Sequence, residues 1–236
     1  MNNEDFLSTI SKSFVKFLNT SSRSNKKLKI LHGAIAQDIE KRLGSDYAIR
    51  SLGCGNGKEV KISGRYMDKT VDIAIYKGEK DLAAIGVKFV MNNYSQNSNN
   101  YFENMLGETA NIRANKKKYF QIIVLPEELP YYDKSGKITH WEKITNHNID
   151  KYIKLSNDDE DVFFHTPIKT LILIVKLPNL NTSTITNRDK YKKYYLNLGS
   201  IKLELSKNIS DTFGERVIFN DYEGFMKKII FYLKSI

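Results

Sequence analysis

The sequence predicts an α/β protein with a mixed β-sheet flanked by helices. Two observations lead to this prediction. Apolar residues recur at helical spacing near both ends of the chain, and between them they alternate or run continuously over short segments. Helix-like and strand-like segments succeed one another along the chain, which is typical of layered α/β folds. The 236 residues suit one domain, so we expect residues 1–236 to form it, with a core at about 30–178 and a C-terminal elaboration at 179–236.

Two amphipathic helices are predicted first. The apolar residues of the opening segment fall on one helical face, and a polar loop at 20–29 follows. The second helix, at about 30–43, has an apolar stripe of its own and ends at Gly44. The stripes consist of Phe6, Ile10, Phe14 and Leu18 in the first helix and of Leu31, Ile35 and Ile39 in the second.

A meander of three strands is predicted next. Alternating apolar residues predict two strands around a short turn, and a nearly continuous apolar run predicts a third, buried strand. Further helices and strands follow. The predicted segments are strands at 60–67, 70–77, 82–90, 119–125 and 170–177, a loop at 92–100, helices at 101–117 and 142–155, a hairpin-like pair between 191 and 206, and a short C-terminal helix.

The composition restricts the function classes. Hydrophobic residues make up 41% of the chain and aromatic residues 11%, which is enough for a sizeable core. The single cysteine, Cys54, excludes an intramolecular disulfide framework and a cysteine-based zinc site. No apolar run approaches the roughly 18 residues of a membrane span, and the acidic N-terminus does not resemble a signal peptide. We therefore expect a cytoplasmic protein without a membrane partner.

The net charge of +10 is what a nucleic-acid-binding protein would carry. However, lysines outnumber arginines 30 to 7, and Asn, Ile and Tyr are also abundant. The codon usage of an AT-rich genome produces this bias in any protein. The charge alone therefore leaves two explanations open, nucleic-acid binding and codon bias.

The glycine-rich segment 52–57 (LGCGNG) resembles the cofactor loop of S-adenosylmethionine-dependent methyltransferases. In that family the glycines let the backbone approach the cofactor, and a helix follows directly. Here a strand-like segment follows, and Asp72 lies in the middle of a strand rather than at its end. A cofactor loop from Gly53 to Gly57 is one interpretation, and a tight turn between strands is the other.

A second pattern lies in the meander. Asp72 and Lys88 stand in otherwise apolar strands, where a charge is costly unless it is paired or put to use. Their spacing and the order of the elements resemble the PD-(D/E)xK nuclease superfamily, whose signature is an Asp followed by Glu/Asp-x-Lys. The stretch 88–126 resembles one subgroup of type II restriction endonucleases within it. The resemblance spans about residues 30–155.

This resemblance implies a PD-(D/E)xK nuclease-like fold and a sequence-specific, Mg²⁺-dependent endonuclease of double-stranded DNA. Such enzymes usually act as homodimers, because a palindromic site mirrors a two-fold axis. Asp72 and the backbone carbonyl of Val87 would bind Mg²⁺, and Lys88 would assist the attacking water. Glu40, on the second helix, either faces the site, as an acid of that helix often does in the family, or is a solvated surface acid.

Position 86 departs from the family pattern, because it is Gly where the family has an acid. One interpretation is that Gly86 replaces a native Glu and that the chain is an inactivated variant. Another is that the acid comes from the following helix, as Glu103 or Glu108. In a third interpretation Gly86 is native and the protein is a DNA-binding module without catalysis.

DNA contacts are predicted near the active-site strand and at a lysine run. The loop 92–100 leaves that strand directly, and Asn and Gln can pair with adenine, although a flexible loop is the alternative. The lysines would contact either phosphates or solvent. The candidates are Asn92, Asn93, Tyr94, Gln96, Asn97, Asn99 and Asn100 in the loop and Lys116, Lys117 and Lys118 in the run. The segment 188–195 mixes basic residues with tyrosines and is a further candidate.

The other reactive side chains form no recognisable pattern. The histidines, His32, His140, His147 and His165, lack metal-ligand spacing, so we expect structural or surface roles for them. No Ser-His-Asp or Cys-His arrangement is readable, and Cys54 is expected only to be a small residue in its loop.

Overall fold

A seven-stranded mixed sheet forms the centre of the structure, a computed structural model that describes residues 1–20, 24–178 and 182–236. The strands, in chain order, are β1 (Tyr47–Ser51), β2 (Val60–Ile62), β3 (Lys69–Val71), β4 (Ile73–Lys77), β5 (Lys80–Phe89), β6 (Lys118–Pro126), β7 (Glu128–Tyr132), β8 (Ile138–Lys143), β9 (Lys169–Lys176), β10 (Glu204–Leu205) and β11 (Val217–Phe219). The helices are α1 (Asn3–Leu18), α2 (Lys26–Leu43), α3 (Tyr94–Arg113), α4 (Asn146–Ser156), α5 (Arg188–Asn197) and α6 (Tyr222–Lys234).

The sheet combines an antiparallel and a parallel half. Its order is β1-β4-β5-β6-β9-β10, and β11 also pairs with β9. Strands β1, β4 and β5 form an antiparallel meander, whereas β5, β6 and β9 run parallel. The predicted α/β class with a mixed sheet is therefore confirmed. The first strand of the meander is β1 and not 60–67, since β2 pairs only with β3 in a separate hairpin.

Helices cover both faces of the sheet. Side chains of α1, α2, α5 and α6 share one hydrophobic core with the sheet, and side chains of α3 and α4 form a second core on the opposite face. Neighbouring residues of β6 enter different cores, as Ile122 and Ile123 illustrate. A strand that is buried on both faces reads as a continuous apolar run, which is why the sequence reveals β6 and β9. Within the described ranges no helix is long and apolar enough to cross a membrane.

The C-terminal third completes the first core. Helix α6 is buried along one face, and the ring of Tyr222 stacks on Phe6 of α1 with a centroid distance of 3.8 Å. The Tyr222 hydroxyl donates to the buried Asp38 carboxylate of α2 at 3.0 Å. The same carboxylate pairs with the N-terminal ammonium of Met1 and with Arg42. One buried acid therefore joins the two ends of the chain to α2.

The segment 92–100 is not the predicted loop, because α3 already begins at Tyr94. The carboxylate of Glu142 accepts hydrogen bonds from the N–H groups of Tyr94 and Ser95 at 2.7 and 3.0 Å. These bonds satisfy two of the free N–H groups at the helix start. A distant side chain thus stabilises a helix in a segment of low intrinsic propensity.

The predicted hairpin between 191 and 206 is also wrong. Residues up to Asn197 form α5, and only β10 is a strand. Tyr191 and Tyr195 lie one helical turn apart and both pack edge-on against Phe14 of α1. The alternation of basic residues and tyrosines is therefore a helical aromatic face and not a strand. The helix predicted at 142–155 begins at Asn146, because the preceding residues pair as β8 with β7.

We expect the substitution Tyr222→Phe to reduce the free energy of unfolding by about 1.5–3 kcal/mol, since it removes the donor to the buried Asp38 Oδ2, whereas Met1 and Arg42 pair with Oδ1. Urea denaturation followed by circular dichroism measures this change. Tyr66→Phe is the matched control, because Tyr66 is 80% exposed and the same substitution there should change stability by less than about 0.5 kcal/mol. Equal effects of the two substitutions would contradict a stabilising role for the Tyr222–Asp38 bond.

Candidate functional site

Asp72 lies at a bend between β3 and β4, where the β2–β3 hairpin joins the main sheet. Its carboxylate Oδ2 accepts a hydrogen bond from the backbone N–H of Val87 at 2.6 Å. Its backbone carbonyl accepts a hydrogen bond from the Ser51 hydroxyl at 2.7 Å. The side chain is thereby held against β5 and the backbone against β1. The structure places Asp72 directly beside the strand that carries Lys88.

Lys88 follows on β5 and is half-buried. Ile73 pairs with Ile85, so Asp72 and Gly86 occupy the next positions on the two adjoining strands. Side chains alternate along a strand, and Lys88 therefore projects from the same face as position 86. Lys88 forms no ion pair or hydrogen bond with the residues in the described ranges. Its ammonium is available to an anionic ligand.

Two side chains that the sequence patterns did not single out complete the cluster. His32 projects from α2 and is fully buried, and Glu59 precedes β2 and is half-buried. One ligand atom from each of His32, Glu59 and Asp72 lies within 4.8 Å of the others. The Nδ1 atom of His32 is 3.9 Å from Glu59 Oε1, and neither ring nitrogen has a hydrogen-bond partner among the described residues.

Burial dominates the electrostatics of this cluster. It lowers the pKa of His32; the Asp72 carboxylate acts in the opposite direction, and Lys88 adds to the decrease. Burial also raises the pKa of Glu59, and the charge of Asp72 raises it further. Two carboxylates thus face each other beside a neutral imidazole. A bound cation would remove the repulsion between them and give the imidazole a partner.

The glycine-rich loop allows α2 to approach Glu59. A Cβ at Gly53 would lie 2.7 Å from the Lys29 carbonyl oxygen, and one at Gly33 would lie 3.1 Å from the Gly53 carbonyl oxygen. Both glycines therefore let the loop lie directly on the helix turn that carries His32. The loop glycines with positive φ are Gly53 (80°), Gly55 (59°) and Gly57 (71°). Strand β2 follows, so the helix that a methyltransferase cofactor loop requires is not there.

The β2–β3 hairpin connects Glu59 to Asp72 and is held by α3. The Asn111 side chain accepts a hydrogen bond from the Tyr66 N–H at 2.9 Å and donates one to the Met67 carbonyl at 2.9 Å. An ion pair between Lys69 and Glu108, at 2.6 Å, adds a second attachment. These contacts fix the hairpin whose two ends carry the carboxylates.

The space beside position 86 is occupied. A Cβ on Gly86 would lie 2.2 Å from the Tyr119 hydroxyl and 2.7 Å from Gln121 Oε1. Both side chains are fully buried, and the hydroxyl lies 3.2 Å from Gln121 Oε1 and from Glu108 Oε2. In a close-packed interior these groups have little room to move. A side chain at position 86 would therefore require Tyr119 and Gln121 to move.

The other predicted acids have different positions. Glu108 lies close to position 86 through Tyr119, whereas Glu103 is exposed and its nearest opposite charge is Lys151 of α4. Glu40 is exposed, and its contact is with the Cys54 thiol at 3.9 Å. The His32–Glu59–Asp72 cluster contains neither Glu103 nor Glu40. Helix α2 contributes His32 instead, about two turns earlier.

The predicted loop contacts separate into two groups. Asn93 exchanges hydrogen bonds with the Tyr132 backbone at 2.8 and 3.0 Å, Tyr94 is buried in the second core, and Asn99 accepts a hydrogen bond from Lys151. These three side chains make contacts within the fold. Asn100 is exposed on α3. A cavity of about 570 Å³ is lined by Asn92, Asn93, Gln96, Asn97, Tyr132, Lys134, Arg188 and Lys192, among others.

The lysine run lies at the opposite end of α3 from this cavity. The helix has 20 residues and is therefore about 30 Å long. Lys117 is buried in an ion pair with Asp81 at 2.6 Å and also contacts Ser63, so it is not available to a phosphate. Lys116 is exposed in a turn with φ of 62°, and Lys118 begins β6. The run and the Asn-rich segment therefore belong to different surfaces.

The signals for the two missed residues were weak. His32 lies next to the apolar stripe of α2, where a polar residue without a partner is unusual, and Glu59 stands in a segment that alternates like any edge strand. Only the loop that folds back on α2 brings them together.

His32, Glu59 and Asp72 are thus the described residues that could together hold a cation, and Lys88 lies on the adjoining strand. The chain showed no significant match to protein-family models, to curated proteins or to solved structures. Its chemistry is therefore inferred from these side chains.

We expect Gly86→Ala to destabilise the protein by about 1–3 kcal/mol, because the new methyl group collides with the Tyr119 hydroxyl. The same substitution in a Tyr119→Phe background should cost clearly less, since the closest atom has been removed. Urea denaturation of the two single variants and the double variant measures the coupling. Gly107→Ala is the control, because no heavy atom lies within 4 Å of a Cβ there. Additive effects of the two substitutions would contradict the collision.

Proposed function

We propose that the protein is a metal-dependent type II restriction endonuclease, which hydrolyses double-stranded DNA at a PD-(D/E)xK-like site. One observation carries the proposal: Asp72, Glu59 and His32 converge where the antiparallel meander meets the β2–β3 hairpin. Lys88 lies on the adjoining strand, and its charge acts on the pKa of His32. Hydrolysis of a phosphodiester needs a cation and a positive group near the phosphate. His32, Glu59 and Asp72 supply ligands for the cation, and Lys88 supplies the positive group.

The residues divide the chemistry among them. Asp72, Glu59 and His32 would hold the cation, Mg²⁺ in the resemblance, and the Val87 carbonyl is a further oxygen ligand by the same resemblance. A divalent cation, when bound, neutralises phosphate charge and makes water more acidic. The Val87 N–H orients the Asp72 carboxylate. The Lys88 ammonium donates to the attacking water or to the phosphate oxygen on which negative charge develops.

Glu59 supports catalysis over a purely DNA-binding role. Position 86 lacks an acid, which favoured a non-catalytic module or an inactivated variant. Glu59 brings a second carboxylate to Asp72 from the other end of the β2–β3 hairpin, and Tyr119 fills the place where the family has its acid. The proposed site therefore needs no acid at position 86, where a side chain would have to displace the Tyr119 hydroxyl.

The cavity beside α3 supports DNA as the substrate. The cavity is lined by the amide side chains of Asn92, Gln96 and Asn97, and Asn and Gln can form paired hydrogen bonds with adenine. Its basic side chains can contact phosphates. Asn92 is four residues beyond Lys88, so the α-carbons of the two residues lie within about 14 Å of each other. That distance corresponds to about four base-pair steps. One duplex can thus contact both. We expect a homodimer in the cytoplasm, acting on a palindromic site.

We expect Asp72→Asn and Lys88→Ala each to reduce DNA cleavage by at least about 100-fold, because the first weakens cation binding and the second removes charge stabilisation. The assay incubates purified protein with phage DNA and Mg²⁺ or Mn²⁺ and resolves discrete fragments on a gel. Asp150→Asn is the matched control, since Asp150 is exposed on α4 and its ion pair within the described ranges is with Lys154 of the same helix. Wild-type protein that leaves DNA intact with either ion would overturn the proposed function.

We expect Arg188→Ala to weaken DNA binding and to reduce the slope of log K against log salt by about 1, the contribution of one phosphate contact. Fluorescence anisotropy with a labelled duplex and Ca²⁺, which permits binding without cleavage in enzymes that use Mg²⁺, measures the slope. Lys154→Ala on α4 serves as the control, because its side chain is 78% exposed and lies outside the cavity. Identical slopes for both variants would show that DNA does not enter the cavity.

A further inference from the structure

His32 is a buried side chain whose ring nitrogens make no hydrogen bond in the part of the chain that the structure describes. It is fully buried, and neither Nδ1 nor Nε2 has a hydrogen-bond partner among the described residues. Most buried polar atoms in proteins are hydrogen-bonded, so two such atoms on one ring require an explanation. Glu59 is the nearest acid, but its 3.9 Å separation from Nδ1 is too long for a hydrogen bond.

The surroundings of the ring supply the explanation. Glu59 and Asp72 each bring a ligand atom to within 4.8 Å of a ring nitrogen and of each other. The three side chains come from α2, from the end of the glycine loop and from the bend before β4. Gly33 and Gly53 permit the close approach that brings them together. One nitrogen and two carboxylates from three separate elements form a mixed ligand set.

We propose that the ring of His32 binds the cation directly and that the His32–Glu59–Asp72 site therefore prefers first-row transition-metal cations such as Mn²⁺ and Co²⁺ over Mg²⁺. The role of the ion in hydrolysis rests on the proposed function, whereas the preference among cations rests on the ligand set alone. Mg²⁺ prefers oxygen ligands and gives up its waters reluctantly, whereas imidazole is a good ligand for the later divalent ions. Replacing an oxygen ligand with imidazole thus penalises Mg²⁺ most.

Isothermal titration calorimetry of the purified full chain with MnCl₂, CoCl₂ and MgCl₂ tests the preference. We expect wild-type protein to bind Co²⁺ and Mn²⁺ at least about 10-fold more tightly than Mg²⁺, with Co²⁺ the tighter of the two. His32→Asn retains a neutral side chain of similar size with an oxygen donor. It should weaken Mn²⁺ and Co²⁺ binding by about 10–100-fold and Mg²⁺ binding by less than about 3-fold. His147→Asn, exposed on α4, is the control and should change none of these constants.

A spectroscopic measurement needs no variant. Electron spin echo modulation of the wild-type Mn²⁺ complex should show the ¹⁴N coupling of a bound imidazole. An absence of this coupling, equal affinities for Mn²⁺ and Mg²⁺, or an equal loss of both in folded His32→Asn would each overturn the inference. Selective Mn²⁺ binding without DNA cleavage would instead support the inference and overturn the proposed nuclease function. If the His32→Asn variant cleaves DNA as well as the wild type with both Mg²⁺ and Mn²⁺, the nuclease proposal would be supported and the inference about His32 overturned.

Discussion

Strand β5 constrains the rest of the molecule, because it is buried and is paired along both edges. It runs antiparallel to β4 and parallel to β6. The pairing with β4 ends at Ile73 and Ile85, so the N–H of Val87 on that edge has no backbone acceptor in β4. The carboxylate of Asp72 accepts this hydrogen bond. A buried N–H group needs a hydrogen-bond acceptor, and this requirement holds the Asp72 side chain against β5.

The cluster depends on elements that are weak by themselves. The β2–β3 hairpin has three residues in each strand and pairs with no other strand, so it requires the attachments that Asn111 and Lys69 provide. The glycine loop lies on α2 only because Gly33 and Gly53 have no side chains. An acid and a histidine are thereby held close together in a half-buried place. Repulsion between the carboxylates and the cost of an unpartnered ring oppose this arrangement unless a cation binds.

The second carboxylate of the cluster comes from outside the main sheet. In the resemblance on which the proposal relies, the second acid stands two residues before the lysine. Here Tyr119 and Gln121 fill that position, and Glu59 approaches Asp72 from the hairpin side. Two carboxylates therefore meet at the bend before β4 without an acid at position 86.

The sequence by itself determined the α/β class, the central buried strands, the helical stripes of α1 and α2 and the unusual positions of Asp72 and Lys88, because periodicity and misplaced charges are local properties. Tertiary structure alone decided three things. The start of α3 depends on Glu142, 48 residues away from Tyr94. Lys117 is removed from the surface by Asp81. His32 and Glu59 join the cluster only because a glycine loop folds onto α2. Each depends on contacts between residues that are distant in the chain, and neither periodicity nor residue type reports such contacts.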